Sequence, residues 1–177
     1  MKDIYLVNYC STGCIPLKSI SRLPEEDAFK LAKELWIRNR GTSFNRFSDD
    51  FKYYYPKRIR TEEWLYNCFV SLGGKPMTKH PLYFVLDGSD YLNRWFNRGH
   101  VTRLSLNNIN SKDISFTLGD SMSRMDKSER EDPFMKDTLF KMIQKYNNNI
   151  ELFLKKTCKG FNYIEVQLWN DKYIENI

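Results

Sequence analysis

The sequence predicts an α+β fold: a single domain over residues 1–177 with a mixed or antiparallel sheet and several short helices. Three observations lead there. A chain of 177 residues is about one domain, long enough to bury one core. Its 12 Phe, 11 Tyr and 4 Trp, 15% aromatic in all, are far too many for a disordered chain. Apolar residues also switch between period 2 and period 3.6 irregularly, not in the regular β-α repeat of a doubly wound sheet.

Residues 3–9 are a short apolar run of strand character. Pro24 opens an acidic first turn, Glu25-Glu26-Asp27, suited to a helix N-terminus. Ala28, Leu31, Ala32, Leu35 and Trp36 follow as one helical stripe ending before Gly41. Thr61 is expected to cap a second helix with Trp64, Leu65, Cys68, Phe69 and Leu72, stopped by Gly73-Gly74. Leu82 to Leu86 is a compact β run that breaks at Asp87-Gly88. Ser89 caps a short helix, with Tyr91, Leu92, Trp95 and Phe96 expected inward and Gly99 closing it. Val101–Leu106 and Ile114–Leu118 read as strands, the second alternating Ile114, Phe116 and Leu118 with Ser115 and Thr117. Residues 119–132 read as a polar, mobile loop. Pro133 is expected to open a helix carrying Leu139, Phe140, Met142 and Ile143, and residues 150–158 form another. Tyr163 to Trp169 is the cleanest strand. Ile164, Val166 and Leu168 face one way; Tyr163, Glu165, Gln167 and Trp169 face the other.

Several function classes lack their signatures. No apolar run approaches the roughly 20 residues of a membrane helix, and the N-terminus lacks a secretory apolar region. A cytoplasmic protein with no membrane partner is expected. Cys10, Cys14, Cys68 and Cys158 show no paired metal-ligand spacing with His80 or His100, so reduced thiols and no metal site are expected. The phosphate-loop, dinucleotide-loop, zinc-protease and nucleophile-elbow patterns are all missing.

Three features carry chemistry. Between Trp36 and Arg60 lie seven basic residues, Arg38, Arg40, Arg46, Lys52, Lys57, Arg58 and Arg60, against Asp49 and Asp50. Phe44, Phe47, Phe51 and Tyr53-Tyr54-Tyr55 are interleaved with them. Cations beside stacking rings suit a nucleic-acid surface, for which Arg38, Arg40, Arg46, Lys52 and Lys57 are the candidates. The same rings equally suit a core with a charged rim. The second feature is Glu165, which projects from its strand beside Tyr163, Gln167 and Trp169, either onto a solvated edge or into a water-poor cleft. The third is Ser115 with Thr117, two hydroxyls on one strand face.

The order of these residues resembles a known family. An upstream Arg58 or Arg60 is followed by a helix, by Gly73-Gly74 and by His80-Pro81-Leu82-Tyr83-Phe84-Val85-Leu86. Then come Ser115-Phe116-Thr117 and the terminal strand Tyr163-Ile164-Glu165-Val166. This is similar to the Arg…Ser-x-Ser/Thr…Glu order of the ADP-ribosyltransferase fold, and to DarT-type DNA-modifying enzymes in particular, over about residues 57–177. The resemblance implies NAD as the bound nucleotide. It places Arg58 or Arg60 on the pyrophosphate or nicotinamide ribose, and Ser115 and Thr117 at the nicotinamide end. Tyr83 would stack on the nicotinamide, and Glu165 would stabilise the cation formed as nicotinamide leaves. Tyr163 stands where many protein-modifying members carry Glu or Gln.

That reading makes the chain a transferase acting on nucleic acid or protein, as a toxin or in phage–host conflict. Two alternatives stand beside it. One is a non-enzymatic basic protein that binds nucleic acid or a partner protein through the 36–60 segment. The other is a metal-dependent nuclease using Asp120, Glu165 and Gln167 with Lys172 nearby.

Overall fold

The structure, a computed structural model, describes residues 3–175 and 177. Its strands are β1 (Tyr5–Cys10), β2 (Leu82–Leu86), β3 (His100–Ser105), β4 (Ile114–Leu118), β5 (Phe134–Met135) and β6 (Ile164–Leu168). They form one sheet in the order β3-β1-β2-β6-β4-β5, and all pairs of strands are antiparallel. The helices are α1 (Glu25–Arg38), α2 (Phe51–Ser71), α3 (Asp90–Trp95), α4 (Ser121–Arg124), α5 (Lys136–Gln144) and α6 (Ile150–Thr157). The expected α+β architecture is therefore present, with an antiparallel sheet.

One sheet face is apolar. Leu6 of β1, Leu82 and Phe84 of β2, Ile114 and Phe116 of β4, and Ile164, Val166 and Leu168 of β6 bury there. Leu139 and Ile143 of α5 and Ile150 and Phe153 of α6 pack in the same core. The opposite face carries Tyr83, Ser115, Thr117, Glu165 and Gln167, and α2 lies across it. Alternation along β6 sorts the two sets, because successive side chains leave a strand on opposite sides.

Helix α2 differs from expectation. It begins at Phe51, not beside Thr61, and continues through Pro56. Proline inside a helix removes one backbone bond and costs about 3 kcal/mol. A buried stripe, Phe51, Tyr55, Glu62, Leu65 and Phe69, outweighs that loss. Thr61 sits mid-helix, its hydroxyl donating to the Lys57 carbonyl at 2.8 Å. Gly73, at φ 90°, ends the helix as expected.

Three other elements are corrected. Ser89 does cap α3, but none of that helix is buried, and Tyr91 and Trp95 stack on each other in the open. Pro133 precedes the two-residue strand β5, and the helix starts only at Lys136. The stretch 119–132 contains α4 and is anchored to α2: Lys57 Nζ lies 2.8 Å from Asp126, and the Arg130 guanidinium lies 4.1 Å from the Trp64 ring centre. No helix among the described residues is long and apolar enough to cross a membrane.

Candidate functional site

Strand β6 is central, between β2 and β4, so the polar face of Glu165 is no solvated edge. Antiparallel register sets two rows across it. Val85, Glu165 and Thr117 form one; Tyr83, Gln167 and Ser115 form the other. Glu165 is only 8% exposed, and Gln167 and Ser115 are fully buried.

A directed chain of hydrogen bonds crosses these rows. Indole nitrogen can only donate, and Trp169 Nε1 donates to Ser115 Oγ at 2.9 Å. The Ser115 hydroxyl must then donate onward, which it does to Gln167 Oε1 at 2.8 Å. That orients the amide, so Gln167 Nε2 donates to Thr117 Oγ1 and to Glu165 Oε1, both at 3.0 Å. Glu165 Oε1 also accepts from Ser121 Oγ at 2.6 Å and from Thr117 Oγ1 at 3.4 Å. The Thr117 hydroxyl has one proton to give and also lies 3.3 Å from the Gly119 carbonyl, so Oε1 is held chiefly by Ser121 and Gln167, whereas Oε2 makes no hydrogen bond among the described residues.

The turn after β4 supplies the Ser121 contact. Gly119 adopts φ 76°, and its N–H donates to the Tyr163 carbonyl at 3.0 Å. This reversal carries Asp120 and Ser121 over the end of β6. Asp120 caps α4 by accepting from Ser123 N, and the Tyr163 hydroxyl donates to its other oxygen at 3.4 Å. Burial, and then the Asp120 charge, push the Glu165 carboxyl up to about 7 against the pull of Ser121 and Arg58. A carboxyl so placed changes charge near neutrality, which structural carboxylates rarely do.

Above the sheet, α2 presents Arg58. Its guanidinium lies 3.9 Å from the Tyr83 ring centre, and its Nε donates to Glu62 Oε1 at 2.6 Å. Glu62 is fully buried and also accepts from Ser21 Oγ at 3.0 Å, while its Oε2 meets His80 Nδ1 at 2.6 Å. Burial pushes Glu62 up, but Arg58's charge and the bonds from His80 and Ser21 outweigh it and hold the carboxyl below its ordinary range. The Tyr83 hydroxyl is buried and without a hydrogen-bond partner among the described residues. Leaving such a group unpaired costs about 1–3 kcal/mol.

The sequence-derived candidates separate clearly. Arg58, Tyr83, Ser115, Thr117 and Glu165 share one face. Arg60 does not: its side chain is 63% exposed and lies 4.0 Å from Asp126. Ser115 and Thr117 act on Glu165 from within the sheet, and one face of the Tyr83 ring already carries Arg58. In the 36–60 segment, Phe44, Phe47, Phe51 and Tyr55 are core, packed on Ala28 and Ala32 of α1. These rings are not available to stack on bases. Arg38, Arg40 and Lys52 lie on the rim, Arg46 folds over Phe44 and Phe47, and Lys57 pairs with Asp126. Of the nuclease set, Asp120 and Gln167 lie beside Glu165, whereas Lys172 pairs with Asp113 at 3.1 Å, and no three His, Cys, Asp or Glu side chains among the described residues are grouped to hold a metal ion.

Glu62 and Ser121 are not legible as site features in the sequence, whereas Asp120 is grouped with Glu165 there only as a metal-binding set. The Arg58–Glu62 spacing of four residues is the one signal that could have revealed Glu62, once α2 is extended back past Thr61. No protein-family model matches the chain, and neither the curated proteins nor the solved structures contain a significant match.

Proposed function

We propose that the face between α2 and the sheet binds NAD and that the chain transfers ADP-ribose from it to a nucleic-acid or protein acceptor. One observation carries this reading: Glu165 is buried, with Oε1 held by Ser121 and Gln167 and Oε2 left unbonded. A fixed carboxylate with one free oxygen suits a ribose hydroxyl. It also stabilises positive charge that grows at the anomeric carbon as nicotinamide departs, an interaction stronger in the transition state than before it. The Arg58 fork on the same face suits the pyrophosphate oxygens.

The test is a thermal titration with NAD. At about 100 times its dissociation constant, a ligand adds about 2.7 kcal/mol of stability. The wild type gains a corresponding rise in Tm, and Arg58→Ala gains much less. An unchanged wild-type Tm at millimolar NAD contradicts the reading.

A non-enzymatic nucleic-acid-binding protein is the second reading, and α3 favours it. Tyr91 and Trp95 are 41% and 44% exposed with ring centres 6.1 Å apart, and Arg94 and Arg98 flank them. Base stacking on such rings contributes about 1–3 kcal/mol per base. Under this reading Trp95→Ala weakens single-stranded DNA binding, binding falls steeply with salt, and Glu165→Gln changes nothing.

A further inference from the structure

The Arg58–Glu62 pair has an unusual division of labour. An arginine commonly meets a carboxylate through two parallel N–H bonds. Here Glu62 takes the Nε alone, at 2.6 Å. Neither Nη1 nor Nη2 makes a hydrogen bond among the described residues, and the side chain keeps 18% of its surface exposed.

The partners of Glu62 explain why. Oε1 already accepts from Ser21 as well as Arg58, and Oε2 is engaged by His80. Since the carboxyl is held ionised, His80 donates to it from Nδ1. With donors on both oxygens, the carboxylate cannot turn to capture a terminal nitrogen of Arg58. The backbone around His80 is fixed in turn, since Arg22 Nε donates to its carbonyl at 2.9 Å while Arg22 pairs with Asp171 at 2.7 Å. Tyr83 beneath the guanidinium sets its plane. Stability alone does not account for the arrangement, because a buried ion pair is often no better than an apolar replacement of the same shape.

We propose that Glu62, locked by His80 and Ser21, is the positioning residue that takes Arg58 by its Nε and leaves the terminal fork free for the phosphate oxygens of a diphosphate ligand. This rests on the NAD-binding reading for the ligand's identity, but the locking itself needs only a diphosphate.

Calorimetric titration of the full chain with NAD, and separately with inorganic pyrophosphate, tests it. Arg58→Ala weakens binding about tenfold, the loss of roughly one charge-assisted hydrogen bond. Glu62→Leu weakens it by a similar factor, and the Arg58→Ala/Glu62→Leu double variant is no weaker than Arg58→Ala alone. Glu62→Gln recovers most of the affinity, since its carbonyl still accepts from Arg58 and Ser21. His80→Phe releases Oε2 to compete for the fork and weakens binding several-fold, with the circular dichroism spectrum unchanged. Additive losses in the double variant, or wild-type affinity in His80→Phe, overturn the proposal. Should Glu62→Leu fail to fold, His80→Phe decides. Pyrophosphate binding with this pattern but no NAD binding removes NAD as the ligand and leaves the positioning role standing. Binding of neither ligand, or binding indifferent to Arg58, removes both.

Discussion

Glu165 and Glu62 sit on one face of the sheet, yet folding shifts them in opposite directions. Glu165 is raised by burial and by Asp120, so the folded chain holds a proton there that the unfolded chain has released. Stability therefore falls as pH rises from the ordinary carboxylate range to about 7. Replacing the carboxyl by an amide of the same shape removes this penalty while keeping an acceptor for Ser121 and Thr117. Glu165→Gln is expected to be more stable than wild type at pH 8, by roughly 2 kcal/mol, and to lose the advantage near pH 4. Chemical denaturation at the two pH values reads it directly. Glu62 is lowered, so it contributes stability above its unfolded value that is lost as pH falls through its lower folded one. Glu62→Gln is accordingly expected to cost stability at pH 7 and progressively less in acid. Because stabilising positive charge requires the ionised carboxylate, nicotinamide release is expected to rise with pH up to about 7 and then level off.

Helix α2 and the turn after β4 are the elements that bring the site together. Phe69 stacks on Trp169 with ring centres 5.4 Å apart, and this contact anchors the far end of α2 to the strand that carries Glu165. Phe69→Ala is expected to cost about 3–5 kcal/mol, a fully buried aromatic lost from a packed interface. Gly119 is more local. Its φ of 76° disfavours a side chain, and an added Cβ would come within 2.9 Å of the Phe161 Cβ. Gly119→Ala is expected to cost roughly 1–3 kcal/mol and to detach Ser121 from Glu165. Shared loss of stability and of nicotinamide release in this variant, set against loss of release alone in Ser121→Ala, separates the two effects.

The same elements show what the sequence made legible. Strands β2, β4 and β6 were readable because alternation or a compact β-branched run, bounded by turn residues, has few other solutions. The pairing of Glu165 with Thr117, and of Gln167 with Ser115, was not, because strand neighbours depend on register across 48 to 52 residues of chain. Helix α2 was cut short because Pro56 and the Tyr53-Tyr54-Tyr55 run argue locally for extended chain. Packing against α1 decides otherwise. With a start at Thr61, Glu62 already shares the stripe of Leu65 and Phe69, but its partner Arg58 falls outside the helix, and only the trace back to Phe51 pairs the two. The exposure of Tyr91 and Trp95 was equally hidden, since nothing in a six-residue amphipathic pattern tells whether a partner layer covers it.

Across the molecule, charge and chemistry are divided. Residues 1–81 carry 14 basic and 9 acidic side chains, whereas 82–177 carry 14 and 13, so the basic excess belongs to the half that supplies α1 and α2. The half with Glu165 is almost neutral. From the first half, Arg22 and Lys57 pair with Asp171 and Asp126 of the second, and Arg58 reaches over Tyr83 onto the polar face of the sheet. That crossing makes a charged nucleotide a sensible occupant and makes α2 more than a cover for the sheet. The most direct measurement is nicotinamide release from NAD by the full chain, wild type against Glu165→Gln. The account predicts release by the wild type and a fall of at least a hundredfold in the variant, whose fold and NAD affinity persist. Equal release from both proteins, or none from the wild type at millimolar NAD, contradicts it.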